Sequence, residues 1–321
     1  MKHHKLTCTG AALGILALLL DSRTGAQAAA GGIELCIRAV IPSLFPFFLL
    51  SGFLTGNLQG GKWFAKLFRC PETCGSLLLT AFLGGYPLGA RLAAQEYGRN
   101  RITKEQADRL FLFCSQAGPS FLFGITAGQL EKPHLAWLLW IILLLSALSV
   151  AWLFPGHTES APEKRDAKKM TLTDAMYASI KAMAVVCGWV IIFSVLMAFL
   201  KRWILWLVPG NFQILICGLL ELTNGCLMLK AVENSLLRFL IASVMLNFGG
   251  ICVLMQTASV TEGLSLRRYF LGKTLQTGFA ILYTLAFMGY PALLLVIFLI
   301  FFCRNLINSR NTSSNPAKLG V

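Results

Sequence analysis

Six long runs of this sequence carry no charged side chain at all, and each contains 19 residues or more. A helix needs about 20 apolar residues to cross the roughly 30 Å of hydrocarbon in a bilayer. Backbone groups in lipid must be hydrogen-bonded within the segment, so we expect these runs to cross as helices. The runs are Ala39–Gly61, Leu110–Leu130, Leu135–Gly156, Ala182–Leu200, Phe239–Thr261 and Thr274–Cys303.

The composition agrees with membrane insertion. Only 13% of the 321 residues are charged, against about 25% in soluble domains. A net charge of +14 would suggest nucleic-acid binding in a soluble protein, but the cations fall mostly between apolar runs, where they set topology and contact anionic lipid headgroups. An ordinary cytoplasmic enzyme and a disordered chain are excluded. We expect an integral multi-pass protein of the cell membrane, with the lipid bilayer as a partner and no nucleic acid.

The first residues allow two interpretations. Met1–Lys5 precedes a short apolar run, and Ala26–Ala28 resembles the cleavage site of a signal peptide, but an uncleaved first helix fits equally and is preferred. The chain is then divided into an N-terminal membrane helix or signal-like segment (1–31), a first repeat (32–154), a cytoplasmic linker (155–170), a second inverted repeat with a terminal helix (171–303) and a polar tail (304–321).

Two shorter apolar segments are interrupted by small or polar residues. Gly75–Ala90 contains Gly84-Gly85-Tyr86-Pro87, and Phe212–Leu229 contains Glu221 followed by Thr223-Asn224-Gly225. Short, interrupted apolar segments at corresponding places in two halves are typical of the binding site of a transporter. We therefore predict a re-entrant or broken helical hairpin in each half.

A helix with a polar break follows each predicted hairpin. The break is Cys114–Ser120 in the first half and Leu246–Gly250 in the second, and Gly289-Tyr290-Pro291 interrupts the last apolar run. The fold class predicted from this order is an all-α polytopic membrane protein. It is an inverted repeat with two re-entrant or broken helical hairpins and roughly eight transmembrane helices.

The cations predict opposite orientations for the two halves. If Gly75–Ala90 enters and leaves on one side, most Lys and Arg residues share that side, which the positive-inside rule makes cytoplasmic. The second hairpin then enters from the outside. The cations assigned to the cytoplasm include Arg69, Arg91, Arg109, Lys164, Lys181, Arg267, Arg268, Lys273 and Arg304.

Two helix starts carry capping signals. Thr103-Lys104-Glu105-Gln106 is a capping box, which predicts a helix after the first hairpin. Thr171 or Thr173 is expected to cap the helix that opens the second half.

The first half supplies most of the candidate site residues. Glycines let backbones approach closely, and broken half-helices aim free N–H groups at an anionic ligand. The alternative is a pair of kinked helices that pack through small residues. The candidate solute-binding residues are Gly84, Gly85, Tyr86, Pro87, Gly89, Ser115, Gln116, Gly118 and Ser120.

Glu221 is the main candidate in the second half, because an ionisable group inside an apolar segment is costly and marks function by default. It can carry a coupling proton, coordinate a coupling cation, or serve a structural hydrogen bond or ion pair with Lys230 or Arg91. Thr223, Asn224 and Asn247 are further candidates, and Gln256 lies nearby in sequence. Such amides also join helices without any other role.

We expect no cofactor and no metal. The four His residues are scattered, and only Cys70 and Cys74 of the ten Cys are closely spaced, whereas a zinc site needs about four ligands. No His/Asp/Ser or His-Glu-x-x-His arrangement appears, so we do not expect an enzyme.

Three motifs resemble a known family. Val40-Ile-Pro-Ser-Leu-Phe-Pro-Phe-Phe48, Gly84-Gly-Tyr-Pro-Leu-Gly-Ala90 and Ser115-Gln-Ala-Gly-Pro-Ser-Phe-Leu-Phe-Gly124 are similar to the sporulation integral membrane protein YlbJ family, in the nucleoside-recognition or Gate-domain group. The resemblance runs from about Gly32 to Tyr290. In the second half it is carried mainly by Glu221-Leu-Thr-Asn-Gly225, and Gln116 stands where the family often has Asn.

The resemblance implies a sporulation protein of the outer forespore membrane that moves dipicolinic acid, its small-molecule solute, toward the forespore. Two other classes stay open: a nucleoside or other small-solute transporter of the same group, and a non-transporting membrane assembly factor. A coupling proton or cation and a homo-oligomer also remain open.

Overall fold

The structure, a computed structural model, describes residues 2–57, 60–156, 170–261, 263–301 and 304. Within these ranges the protein is helical and has no β-strand, so the all-α class is confirmed for this part of the chain. Most of the predicted linker, residues 157–169, and the polar tail after residue 304 lie outside the described residues.

The helices of the first half join through short turns, and a π-helical turn at Cys36–Val40 connects α2 to α3 without a break. In chain order they are α1 (Lys2–Leu20), α2 (Ser22–Leu35), α3 (Ile41–Asn57), α4 (Lys62–Leu67), α5 (Gly75–Gly84), α6 (Leu88–Gly98), α7 (Lys104–Leu110), α8 (Pro119–Phe121) and α9 (Leu135–Leu153).

The second half opens with the longest helix of the described chain and ends with one that packs between α9 and α13. In chain order its helices are α10 (Leu172–Trp203), α11 (Gly210–Leu220), α12 (Leu222–Met228), α13 (Ser235–Phe248), α14 (Gly250–Ala258) and α15 (Leu266–Phe287).

Four helical stretches of the described chain are long and apolar enough to cross a membrane: Ser22–Leu54, Leu135–Leu153, Leu172–Trp203 and Ser235–Ala258. Leu135–Leu153 contains no charge, and the exposed face of α10 presents Ile180, Ile192 and Leu196. Large aliphatic side chains on an outer face are expected where lipid, rather than water, surrounds a helix.

The first interrupted segment is a helical hairpin. α5 ends at Gly84, Gly85 adopts φ +81°, and α6 begins at Leu88. A positive φ of this size costs glycine nothing but strains other residues. α6 folds back onto α5, since a Cβ at Gly89 would lie 3.1 Å from the Cβ of Ala81.

The second interrupted segment is also a hairpin, and it turns at Glu221. α11 and α12 approach so closely that a Cβ at Gly225 would overlap the backbone of Gly218. Both turns lie where the sequence predicts an interruption, because each contains residues that cannot continue an apolar helix.

The two predicted polar breaks are confirmed as well. Residues 114–118, after α7, are not helical, so Leu110–Leu130 is an interrupted segment and not one continuous spanning helix. Gly249 and Gly250, with φ of +85° and +88°, separate α13 from α14. In the last run, α15 ends at Phe287, and residues 293–301 are helical after Gly289.

The predicted helix starts are confirmed. Thr103 forms a capping box with Gln106, and Thr171 caps α10 together with Asp174. Near the N-terminus, Asp21 caps α2 and forms an ion pair with Arg202 at 2.8 Å. Ala26–Ala28 lies inside α2.

Candidate functional site

The tips of both hairpins, at Gly85 and Glu221, lie in the interior of the protein. There they contact the two polar breaks, which are residues 114–118 and Gly249-Gly250. A Cβ at Gly85 would lie 2.6 Å from the amide nitrogen of Gly118, so the first tip touches the break of its own half. A Cβ at Gly250 would lie 3.2 Å from the carbonyl oxygen of Gly218, so the second tip touches the second break. Four irregular stretches of backbone thus converge at one place, where their polar groups need partners.

Tyr86 connects the two halves at this point. Its hydroxyl donates to the carbonyl oxygen of Leu246 at 3.0 Å, near the end of α13. A Cβ at Gly249 would lie 2.8 Å from the Tyr86 ring. The ring of the first hairpin therefore closes over the break of the second half.

A small cavity of about 30 Å³ lies between the tips. Its polar wall includes Tyr86, Glu221, Thr223 and Gln256, and Val40, Val186 and Val190 form part of its apolar wall. A cavity of about 150 Å³ is known to admit benzene, so this one has room for water but not for an aromatic solute. The described conformation is closed.

The Glu221 carboxylate caps α12. Its Oε1 accepts from the Thr223 amide at 3.0 Å, and its Oε2 accepts from the amide and the side-chain Nδ2 of Asn224 at 2.7 and 2.9 Å. The side chain is 2% exposed. A carboxylate on the first amides of a helix is favourable, and the predicted alternatives of ion pairs with Lys230 or Arg91 are not formed.

Lys273 of α15, in the second half, occupies the corresponding place beside the first hairpin, which contradicts its assignment to the cytoplasmic surface. Its residue is 2% exposed, and its ammonium group lies 4.8 Å from the centre of the Tyr86 ring. Nζ donates to Ser115 O at 2.8 Å and to Gln276 Oε1 at 2.7 Å, with Gln116 Oε1 at 3.4 Å. The surface assignment was wrong because Arg267 and Arg268, which open the same helix, suggest an interface.

Four predicted site residues line the cavity: Tyr86, Gly118, Glu221 and Thr223. The others support this wall or lie behind it. Gly84 and Pro87 flank the tip of the first hairpin, and Gly85 and Gly89 permit close backbone contacts with residues 114–118. Ser115 Oγ accepts a hydrogen bond from the Ala90 amide at 3.1 Å. The side-chain amide of Gln116 donates to Gln276. Asn224 supports Glu221, Asn247 donates to Ser243 O, and Ser120 and Asn247 each keep one buried oxygen without a partner in the described chain.

Some contributors were not identified from sequence. Lys273 and Gln276 share one face of α15 with Tyr269, at spacings of three and four residues, which is the signal that would have found them. The valines of the cavity wall carry no such signal, since lipid-facing valines look the same in sequence. Arg91 lies away from the cavity, in a groove with Lys181.

Cations cluster at the far end of α9. Arg109 donates to the carbonyl oxygens of Phe154 at 2.6 Å and of Phe68 at 3.0 Å. Arg304 donates to Trp152 O, and Arg69 lies over the Trp152 ring at 4.9 Å. Cations at the carbonyl ends of helices are favourable. Three residues assigned to one side of the membrane by charge are therefore close in space.

The closely spaced cysteines lie beside this cluster. Arg109 donates to Cys70 Sγ, and burial raises the pKa of the Cys70 thiol although the guanidinium acts in the opposite direction. Cys70 and Cys74 are both free thiols. Within the described residues no group of three or more His, Cys, Asp and Glu is placed to hold a metal ion.

The chain is similar to a curated protein of known name. It is 28% identical to the sporulation integral membrane protein YlbJ of Bacillus subtilis (strain 168), over 312 aligned residues that cover 81% of this chain and 76% of the relative. The chain is a relative of YlbJ. The resemblance to the YlbJ family predicted from its motifs is confirmed, and the membrane-length helices agree with the description of YlbJ as an integral membrane protein.

No family model matches the chain, so the Gate-domain part of the resemblance to YlbJ and its group stays a prediction. No solved structure matches it either.

Proposed function

We propose that this protein is an integral membrane transporter of a small solute, and that the solute is dipicolinic acid moving toward the forespore across the outer forespore membrane. The observation that carries the proposal is the convergence of two hairpin tips and two helix breaks on one cavity whose wall includes the polar residues Tyr86, Glu221, Thr223 and Gln256. Irregular backbone at membrane depth is tolerated where it lines a cavity or is buried in protein. Transporters place their solutes at such discontinuous helices.

The proposed membrane arrangement is an inverted repeat of roughly eight spans. In each half a hairpin precedes a segment with a polar break. Each hairpin contains a close contact between small residues, which is Ala81 with Gly89 in the first half and Gly218 with Gly225 in the second. This shared order supports a repeat.

The two ends of α10 support the inversion. Near its start, Lys181 shares a groove with Arg91 of the first hairpin. After its end, Val208 O accepts from Gln213 of the second hairpin at 2.8 Å. At 1.5 Å rise per residue, the helix separates Lys181 from its last residue, Trp203, by roughly 33 Å. This separation supports hairpins that start from opposite ends of the bundle in the proposed arrangement, with the arginine cluster on the side of the first.

In this proposal the solute replaces contacts that the closed tips make with each other. The Ala90 amide, which now donates to Ser115 Oγ, lies in the first turn of α6 and becomes a donor for a carboxylate when residues 114–118 move. Tyr86 presents a ring face for a planar pyridine dicarboxylate.

A non-transporting membrane assembly factor is the second candidate, and the small cavity favours it. A volume of about 30 Å³ is also what a permanently closed bundle packed through small residues would contain. In that case the glycines serve packing alone.

Uptake into proteoliposomes tests the proposal. Purified protein is reconstituted, and entry of labelled dipicolinate is measured with unlabelled dipicolinate or nucleosides as competitors. We expect saturable uptake that dipicolinate inhibits and nucleosides do not. Inhibition by nucleosides would assign the protein to a different solute, and no uptake of either would favour the assembly factor.

A further inference from the structure

Arg91 is a half-buried arginine of the first hairpin that the proposed function does not use for binding. Its guanidinium forms no hydrogen bond and no ion pair within the described chain. The other arginines of that part of the chain that are not exposed all have protein partners: Arg101 bonds Glu96, and Arg109, Arg238 and Arg304 bond backbone carbonyl oxygens. An arginine stays charged at any physiological pH, and a charge withdrawn from water needs a partner.

Arg91 lines a groove of about 450 Å³ between α6, α10 and the end of α14. Lys181 of α10 lines the same groove and is likewise without an ion pair in the described chain. The rest of the wall is mainly small or aliphatic, and Gln95 and Ser259 add polar groups. Two cations therefore share one concave site whose size suits a small ligand.

No carboxylate of the described chain lines this groove. On α6, Glu96 forms ion pairs with two arginines outside the groove, and on α10 Asp174 belongs to the cap of the helix. Glu105 and Asp108 of α7, which packs on α6, line a different cavity beside the arginine cluster. α14 carries no charged residue. The positive charge of the groove is therefore not neutralised by these elements.

We infer that this groove is a binding site for a small dianion that carries two carboxylates. One carboxylate matches the planar fork of the Arg91 guanidinium with two parallel N–H···O bonds. The ammonium group of Lys181 supplies a point charge for the second carboxylate. The short side chains of Ala94, Ala178 and Ala182 leave room for a flat ring beside the two cations.

The groove serves as an entry site ahead of the central cavity, and this part of the inference rests on the proposed function. Arg91 directly follows Ala90, whose amide donates to Ser115 Oγ where the first hairpin meets its break. An anion held by Arg91 is thus one residue away from the contact that opens in the proposed function. The central cavity of about 30 Å³ has no room for such a ligand, whereas the groove of about 450 Å³ does.

Binding of labelled dipicolinate to the purified full-length protein, in nanodiscs of phosphatidylcholine, tests the site without transport. Arg91→Gln should weaken binding by at least about tenfold, because a charged pair of hydrogen bonds is lost. Lys181→Gln should weaken it by about threefold, since Lys181 is exposed. This second variant lies on another helix and keeps the inference testable if Arg91→Gln does not fold.

Arg267→Gln is the matched control, because Arg267 is an exposed arginine of α15 that does not line the groove. It should bind dipicolinate as the unmodified protein does. Binding that is unchanged in both Arg91→Gln and Lys181→Gln, or that falls equally in Arg267→Gln, would overturn the inference.

A lipid phosphate offers the same oxyanion chemistry, and native mass spectrometry with added phosphatidylglycerol separates this source from the free solute. We expect the unmodified protein and Arg91→Gln to retain equal numbers of lipids. Loss of one bound lipid in Arg91→Gln, with unchanged dipicolinate affinity, would assign the groove to a lipid headgroup and overturn the dicarboxylate.

The binding result and the uptake result are separable. Weaker binding in both groove variants, together with absent dipicolinate uptake by the unmodified protein, retains the anion site and rejects the transporter. Uptake by the unmodified protein, with unchanged binding in both groove variants, retains the transporter and rejects the groove.

Discussion

The two hairpin tips stabilise opposite charges with neutral groups. Beside the first tip an ammonium, that of Lys273 from α15, is surrounded by carbonyl and amide oxygens. In the second half a carboxylate, Glu221, is surrounded by backbone and amide N–H groups. The two charges form no ion pair with each other, since each is satisfied within its own half or by α15. Either tip can therefore move without leaving the charge of the other unpaired.

The tips also differ in how they turn. The first needs glycine at Gly85 because of its positive φ, whereas the second turns at Glu221 with an extended φ of −141° that any residue adopts. The first tip is thus specified by backbone and the second by a side chain. This difference predicts which substitutions each half tolerates.

The largest effect is expected from the glycines at the hairpin contacts. Gly89→Leu places its Cβ against the carbonyl oxygen of Cys114, and Gly225→Leu against the backbone of Gly218. Backbone cannot yield as a side chain can, so each should lose more than about 3 kcal/mol of folding free energy. Thermal unfolding in detergent and membrane abundance measure the loss. Gly188→Leu, with open space around its Cβ, is the control, and a tolerated Gly225→Leu would show that the second hairpin is not closely packed.

Glu221 should give the next largest effect. Glu221→Ala removes a helix cap and should cost about 1–2 kcal/mol, while Glu221→Gln keeps one acceptor and should cost less. Both should reduce solute uptake normalised to membrane protein, because the cavity wall loses its charge. Normal uptake by Glu221→Gln would restrict this residue to capping and exclude it from any proton-coupling role.

Tyr86 separates the two contacts of the first tip. Tyr86→Phe keeps the ring over Lys273 but leaves Leu246 O without its donor, at a cost of about 1 kcal/mol. Tyr86→Leu also removes the cation–π contact and should cost more. Equal unfolding midpoints for the two variants would mean that the ring contributes nothing to holding Lys273.

The smallest effect on stability is expected from the N-caps of α7 and α10, which lie outside the hairpins. Thr103→Ala and Thr171→Ala each remove one capping hydroxyl, and each should lower stability by about 0.5–1 kcal/mol without changing uptake. Thr173→Ala, two residues inside α10, is the matched control and should be neutral. A loss of uptake in Thr103→Ala alone would connect α7 to the moving part of the first half.

The sequence predicted the breaks because their chemistry is local. Gly84-Gly85-Tyr86-Pro87 and Gly249-Gly250 disfavour a continuous helix through their own backbone preferences, and Thr103 and Thr171 carry capping signals that act within one turn. All of these features require only neighbouring residues.

The rest depends on contacts distant in sequence. Lys273 was misplaced because its partners, Ser115 and Gln116, lie more than 150 residues earlier in the chain. Glu221 is the exception: it was identified as a site residue, and its capping partners are the local amides of Thr223 and Asn224. Conversely, Asn247 was expected in the site and lies outside the cavity.

The inverted repeat requires the two hairpins to enter the membrane from opposite sides, and labelling from each side of the membrane measures this. A single cysteine replaces either Glu72, at the base of the first hairpin, or Asn211, at the base of the second, in a chain whose ten native Cys residues are changed to Ser. Sealed vesicles of both orientations are treated with a membrane-impermeant maleimide. We predict that Glu72→Cys is labelled only from the cytoplasmic side and Asn211→Cys only from the other side. Labelling of both from the same side would contradict the inverted repeat and the meeting of the hairpins at one site.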